Sequence, residues 1–171
     1  MDFWIINGYT LGMRIPIVDE NDEIISYRDK KDRVAGDVCR VTGLWVAAQN
    51  GDVLLAQRAF DKEYNPGLWG PAVAGTVEEG ETYESNIVKE AKEEIGLAGY
   101  QFKLGPKFRR SSSHDYFVQW FTVVVSRESQ FKKNDREVAD IKWFSRTELD
   151  KLVEEKPDIF LPGFENYKST F

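Results

Sequence analysis

The run from Tyr116 to Val125, YFVQWFTVVV, has almost no polar interruption, and it limits how the rest of the chain can fold. A strand with one wet face alternates apolar and polar residues, whereas a continuous β-branched and aromatic run calls for cover on both faces. Other segments supply strands for the same sheet. IPIVDENDEIISYR alternates around Asn21-Asp22 as a short hairpin and leads into the charged connector DKKDR. VTGLWVAAQ and DVLLAQR flank Asn50-Gly51, a pair that predicts a tight type I′ hairpin turn. FDKEYNPGLWGP reads as a loop, AVAG as a brief strand, and YQFKL, KFRR and IKWF as further strands. Ser145 with Glu148 predicts a capping box that opens a helix through Leu152. Strands flanked by helices on both faces of the sheet make an α/β sandwich.

A chain of 171 residues, 42% hydrophobic, fits one domain with one full core. We read residues 1–13 as an N-terminal arm and residues 14–171 as that single domain. The net charge of -6 argues against a nucleic-acid polymer as partner, because neutralising a phosphate backbone needs a broad basic surface. Cys39, the single cysteine, allows no internal disulfide and is expected to be a small buried residue. MDFWIINGYTLGMRIP lacks a basic leader and a long apolar stretch, so neither a signal peptide nor a membrane span is expected; a cytoplasmic location follows. Its apolar start, MDFWII, could pair with a second chain as a homodimer.

The chemistry concentrates in GTVEEGETYESNIVKEAKEEIGL, residues 75–97. Thr82 to Ile95 has helical periodicity, with Ile87, Val88, Ala91 and Ile95 on one stripe and Gly96 placed to end the helix. Glu90, Glu93 and Glu94 then share a sector of roughly 100° beside that stripe. Glu90 and Glu94 form a like-charge pair one turn apart, and Lys89 precedes Glu93 in the weaker orientation for an ion pair. Such a face is either simply solvated or a place for a hard divalent cation such as Mg²⁺, which prefers carboxylate oxygens.

The spacing of the whole segment resembles the Nudix hydrolase signature: G, five residues, E, seven residues, then R-E-U-x-E-E-x-G-U with U aliphatic. Gly75, Glu81, Glu90, Glu93, Glu94 and Gly96 match its strict positions; Ala91 is a small occupant of an aliphatic slot, and Lys89 stands where the signature has arginine. The resemblance implies an α/β/α sandwich with a mixed sheet and cleavage of a diphosphate linkage in a nucleoside diphosphate derivative by metal-activated water. It makes Glu90, Glu93 and Glu94 ligands of Mg²⁺ or Mn²⁺, adds the carbonyl of Gly75, and gives Glu81 and Lys89 the role of holding the loop and the carboxylates. The general base is then Glu90, Glu94 or, from outside the signature, Glu137 in REVADIKWF. Lysine keeps the charge of the arginine it replaces and loses its planar fork, which implies looser positioning.

A wider likeness, from IVDENDEII through NPGLWGPAVAG to FLPGF, is to the branch of the family related to isopentenyl diphosphate isomerase. That enzyme needs a cysteine where this chain has Ala74 and uses metal-binding histidines, whereas His114 is the one histidine here. The isomerase is therefore a rival reading, and a catalytically weakened nucleotide-binding or regulatory module is another. For substrate contact, Arg58 and Trp69 are candidates, Trp69 by stacking on a base or else by packing under its loop. Arg109 and Arg110, with Lys103 and Lys107, form a basic cluster suited to phosphates. Trp45, Trp120 and Trp143 read as core, and His114 as a solvated loop residue.

Overall fold

A computed structural model describes residues 5–6, 9–10, 12–111, 115–168 and 170–171, so His114 and the first four residues of MDFWII lie outside it. The long strands β5 (Val38–Ala48) and β10 (Asp115–Val125) run parallel, side by side, at the centre of the sheet. On one side β6 (Val53–Arg58) and then β11 (Val138–Phe144) continue it antiparallel; on the other, β9 (Lys103–Ser111) pairs antiparallel with β10. Shorter strands attach to this frame. β3 (Arg14–Val18) pairs with β4 (Ile24–Asp29) and with the start of β5, β7 (Trp69–Pro71) with β6, and β8 (Val73–Thr76) with the middle of β5. β1 (Ile5–Ile6) and β2 (Tyr9–Thr10) pair with each other apart from the main sheet.

Alternation along β5 sorts the two cores. Leu44 and Val46 point to α1 (Tyr83–Ile95) and meet Ile87, Ala91, Ile95, Phe121 and Val123. Trp45 points the other way, with Val53 and Leu55, onto Leu149 of α2 (Arg146–Glu155) and Phe164 of α3 (Phe164–Lys168). The expected α/β/α sandwich with a mixed sheet is what forms. Cover on both faces of β10 holds for Val118–Phe121 and ends before Val124, which is 60% exposed.

Several local expectations change. Asn50 keeps a negative φ and only Gly51 turns left-handed, at +88°; Gly51 N–H donates to Ala48 O and Ala48 N–H to Asp52 O. The β5–β6 connection is thus a three-residue loop with a left-handed glycine last, not a type I′ turn. Only the last two residues of YQFKL are strand, and they join KFRR in one element, β9, irregular opposite Gln119–Phe121. At α2, Ser145 caps Glu148 N–H at 3.1 Å, but the Glu148 carboxylate goes to Lys142 instead of completing the box, and the helix runs on to Glu155. The loop before β8 ends in β7, whose pairing with β6 sets one wall of the site described next.

Candidate active site

α1 is fixed at both ends. Thr82 Oγ1 accepts from Ser85 N–H at 3.1 Å while Ser85 Oγ accepts from Thr82 N–H at 2.9 Å, a capping box the sequence reading passed over, and Gly96 closes the helix in the left-handed conformation. Its buried positions are Asn86, Ile87, Ala91 and Ile95, whereas Val88 is 54% exposed. Val88 lies about 100° around the helix from Ile87, and the sheet covers the other side. Asn86 takes the buried position instead. Because Glu90 and Glu94 project between Asn86 and Ala91, their stems are drawn toward β8 and the sheet.

Lys89, Glu81 and Asn86 make a polar brace beneath Glu90. Lys89 Nζ lies 2.6 Å from Glu78, 2.7 Å from Glu81 and 3.7 Å from Glu90. Burial pulls the Lys89 pKa down, but Glu78 and Glu81 more than reverse this and raise it. Burial likewise pushes Glu81 up, and bonds from Lys89, Glu78 N–H and Asn86 bring it below the ordinary carboxylate value. Asn86 Nδ2 donates to Thr76 O at 3.1 Å, to Glu81 at 2.8 Å and to Glu90 Oε1 at 3.3 Å, and its carbonyl oxygen accepts from Thr42 Oγ1. This fully buried asparagine is a site residue that sequence reasoning missed; the signal was a polar side chain beside Ile87 on the buried stripe. Gly75 backs Glu90 from β8: a Cβ there would lie 2.3 Å from Glu90 Cγ and 2.7 Å from its Oε1. Any side chain at position 75 would displace the carboxylate.

Glu94 turns into a narrow cleft, with a cavity volume of about 30 Å³, bordered by Arg58, Gly70, Pro71, Ala74, Glu137 and Leu161, among others. It accepts from Ala74 N–H at 3.2 Å. Burial pushes its carboxyl up to about 8, helped by the charge of Glu90 and opposed by Ala74 N–H and Arg58. Burial also raises Glu90 to about 7, with Lys89 opposing and Glu93 adding to the rise. Glu137 faces Glu94 across the cleft and pairs with Lys62 at 2.6 Å. Arg58 borders the same cleft and is held by Nε donating to Tyr64 O at 3.1 Å. Lys30, just after β4, feels Glu90, Glu137 and Glu78 through space, while partial burial of its ammonium lowers its pKa. Neither Lys30 nor Lys62 was singled out from sequence.

The remaining candidates go elsewhere. Glu93 is exposed and borders a separate groove, so among the described residues no three acids, histidines or cysteines already stand together around one point. Trp69 lies edge-on to Phe144 with centroids 5.3 Å apart and packs into the second core; its neighbours Gly70 and Pro71 border the cleft instead. Arg109 faces Asp115 at 3.8 Å and Arg110 covers Phe108 at 4.9 Å, both on the edge strand β9 and neither bordering the cleft. Lys107 is held by Asp22. Cys39 is buried beside Ile15 and Ile17, and burial pushes its thiol up.

The family comparison agrees with this geometry: the NUDIX domain matches residues 39–164. The chain belongs to the NUDIX domain family. The match begins within β5 and reaches α3, so it takes in the signature, the cleft and both helical layers. Among curated relatives, an uncharacterized Nudix hydrolase of Listeria innocua is 26% identical over 117 residues, 68% of this chain and 69% of that one. An isopentenyl-diphosphate Delta-isomerase of Klebsiella pneumoniae is 28% identical over 123 residues, covering 69% and 67%. In fold, the crystal structure of DR0079 from Deinococcus radiodurans superposes with a TM-score of 0.73 over 84% of this chain and 90% of that one, at 20% identity. The protein is an enzyme of the Nudix hydrolase type. No helix among its described residues is long and apolar enough to cross a membrane.

Proposed function

We propose that the protein cleaves a diphosphate linkage in a small nucleotide derivative, with Glu90 and Glu94 holding Mg²⁺ or Mn²⁺ and Glu93 swinging in to join them. The observation that carries this reading is the pair of largely covered carboxylates, raised to about 7 and about 8 chiefly by burial, while Lys89 stands 3.7 Å from Glu90 and lies closer to Glu78 and Glu81. Hard oxygen donors with surplus negative charge suit a hard divalent ion, and Gly75 leaves Glu90 the room to turn toward one. Such an ion, when bound, would neutralise diphosphate oxygens and make water more acidic.

The chain's own residues do the rest. Arg58 presents a guanidinium to the substrate's oxygens, and Glu137, steered by Lys62, takes the proton from water. The water oxygen forms a bond to phosphorus, the bridging P–O bond breaks, and the leaving phosphate departs with that oxygen. Lys89, Glu81 and Asn86 keep Glu90 in place. The rival isomerisation is disfavoured because Ala74, whose N–H binds Glu94, puts no thiol beside the cleft, and Cys39 is buried in another cluster. A panel of nucleoside diphosphate derivatives incubated with Mg²⁺ should give phosphate-containing products, and Glu137→Gln should slow turnover by about 10²-fold. Tight binding without product would support the regulatory module; allylic rearrangement without product would support the isomerase.

A further inference from the structure

Away from the cleft, β4 leaves one edge of the sheet open. It pairs with β3 alone, and residues 24–27 are exposed on both faces of the strand. The register with β3 tells which of its backbone groups point outward. Lys30 N–H donates to Met13 O at 2.8 Å, so by the alternation of an antiparallel pair Arg28 and Ser26 also bond inward, whereas Tyr27 and Asp29 turn N–H and C=O to the open edge. Pro16, opposite Tyr27, has no N–H to offer and fits that assignment. An apolar strip accompanies the open groups. Ile25 is 65% exposed, Ile24 42% and Tyr27 38%, and Met13, opposite Lys30, is 39% exposed. Edge strands are ordinarily guarded by charge or proline. β9 carries Lys103, Lys107, Arg109, Arg110 and Pro106, and β11 carries Asp140 and Lys142. Residues 24–27 carry neither guard, and Arg28 next to them is taken by Asp37 at 2.8 Å.

The two ends of β4 are opposite in charge. Glu20 and Glu23 stand before it and Lys31 after it, all three exposed and without an ion-pair partner among the described residues. Asp22, in the same turn, is already taken by Arg40 and Lys107. A two-fold axis reverses one copy of the chain against the other, which lays the acidic end of each β4 on the basic end of its partner. With the axis at Tyr27, the outward groups of Tyr27 meet those of its own copy, and Glu23 comes opposite the partner's Lys31. We propose that β4 is a self-pairing edge, through which two copies of this chain join their sheets antiparallel into one. Main-chain bonds hold the contact, and the apolar strip packs along it. The contact uses β4 and not the apolar start MDFWII. A six-residue edge supplies less than the roughly 800 Å² per partner of a stable interface, so the dimer belongs to the micromolar range.

Sedimentation equilibrium of the full chain from about 1 to about 200 μM should show a monomer–dimer equilibrium. Ile25→Lys sets a charge on the open strip, and Tyr27→Pro removes an outward N–H without touching the bonds to β3. Each should raise the dissociation constant about ten-fold or more and leave the far-ultraviolet circular dichroism that of the unaltered protein. Glu23→Lys or Lys31→Glu alone should weaken the dimer about three-fold, and the two together should restore it, because opposite charges then face each other again. Hydrogen exchange at the Tyr27 and Asp29 amides should slow as protein concentration rises. A monomer over the whole range would overturn the proposal. So would a dimer unmoved by Ile25→Lys and Tyr27→Pro, a dimer lost only when residues 1–11 are removed, or single charge reversals that the pair does not repair.

Discussion

Two buried acidic centres in this protein are built in opposite ways. At the β3–β4 turn, Asp22 is 6% exposed and takes Arg40 Nε at 2.8 Å, Lys107 Nζ at 2.7 Å and Tyr83 OH at 3.1 Å. One carboxylate there faces two cations and a phenol whose proton is held more firmly, chiefly by burial and then by the Asp22 charge. The knot ties the turn to β5, to β9 and to the first residue of α1. Two to three turns along the same stripe of α1, Glu90 and Glu94 sit largely covered, and Lys89, the ammonium beside Glu90, spends its close contacts on Glu78 and Glu81. The first centre is electrically closed and holds the fold together. The second is left open, which suits a place that must receive a cation and release a product.

The contrast can be broken most sharply by Glu94→Gln. Turnover should fall by on the order of 10³-fold, while the metal-free protein above pH 8, where Glu94 carries its charge, should melt no lower than the unaltered one, because a costly covered charge has gone. Loss of folding with loss of activity would make Glu94 a second structural acid. Asp22→Asn should do the reverse: a destabilisation of about 2–3 kcal/mol in urea unfolding, with kcat at temperatures well below the transition unchanged. Large loss of kcat in the still-folded variant would erase the distinction.

A pH series sharpens it further. Glu90 and Glu94 have folded-state pKa values raised from 4.5 to about 7 and about 8, so the folded protein binds protons that the unfolded chain has released. Without metal, their contribution to stability is fully present below pH 4.5 and is lost as pH rises through 7 and 8. Added Mn²⁺ competes with those protons, so the melting temperature should rise more on metal addition at pH 8 than at pH 6. Equal rises at both values would separate metal binding from these carboxylates. The smallest effect is expected from Lys89→Arg. The ammonium already bridges Glu78 and Glu81 at 2.6 and 2.7 Å, so restoring the planar fork should change kcat by less than about three-fold.

What could be read from the sequence was what one continuous segment encodes. The limits of α1, its left-handed end at Gly96 and the match at Glu81, Glu90, Glu93 and Glu94 all follow from spacing within residues 75–97. Legibility failed where the answer depended on a neighbour. Val88 has the periodicity of a core residue, yet the sheet lies on the other side and Asn86 is the residue it covers. Asn50-Gly51 has the composition of a type I′ turn, but the bond from Ala48 N–H to Asp52 O selects a loop one residue longer. Trp69 suited a stacking role, and Phe144 from a distant strand claimed its ring. Glu137 is in a loop well past the signature, and it takes β11 pairing with β6, Val138 opposite Arg58, to bring it to the cleft of Glu94. The Asp22 knot joins four segments and leaves no local trace.

Catalysis in the cleft depends most on Glu90 and Glu94 receiving a divalent ion. Anomalous diffraction at the manganese edge, from crystals grown with Mn²⁺, tests it directly. A peak is expected between the Glu90 and Glu94 carboxylates, with the Glu93 side chain rotated to meet it. A map with no peak there, or with manganese held only at other acids, would contradict it.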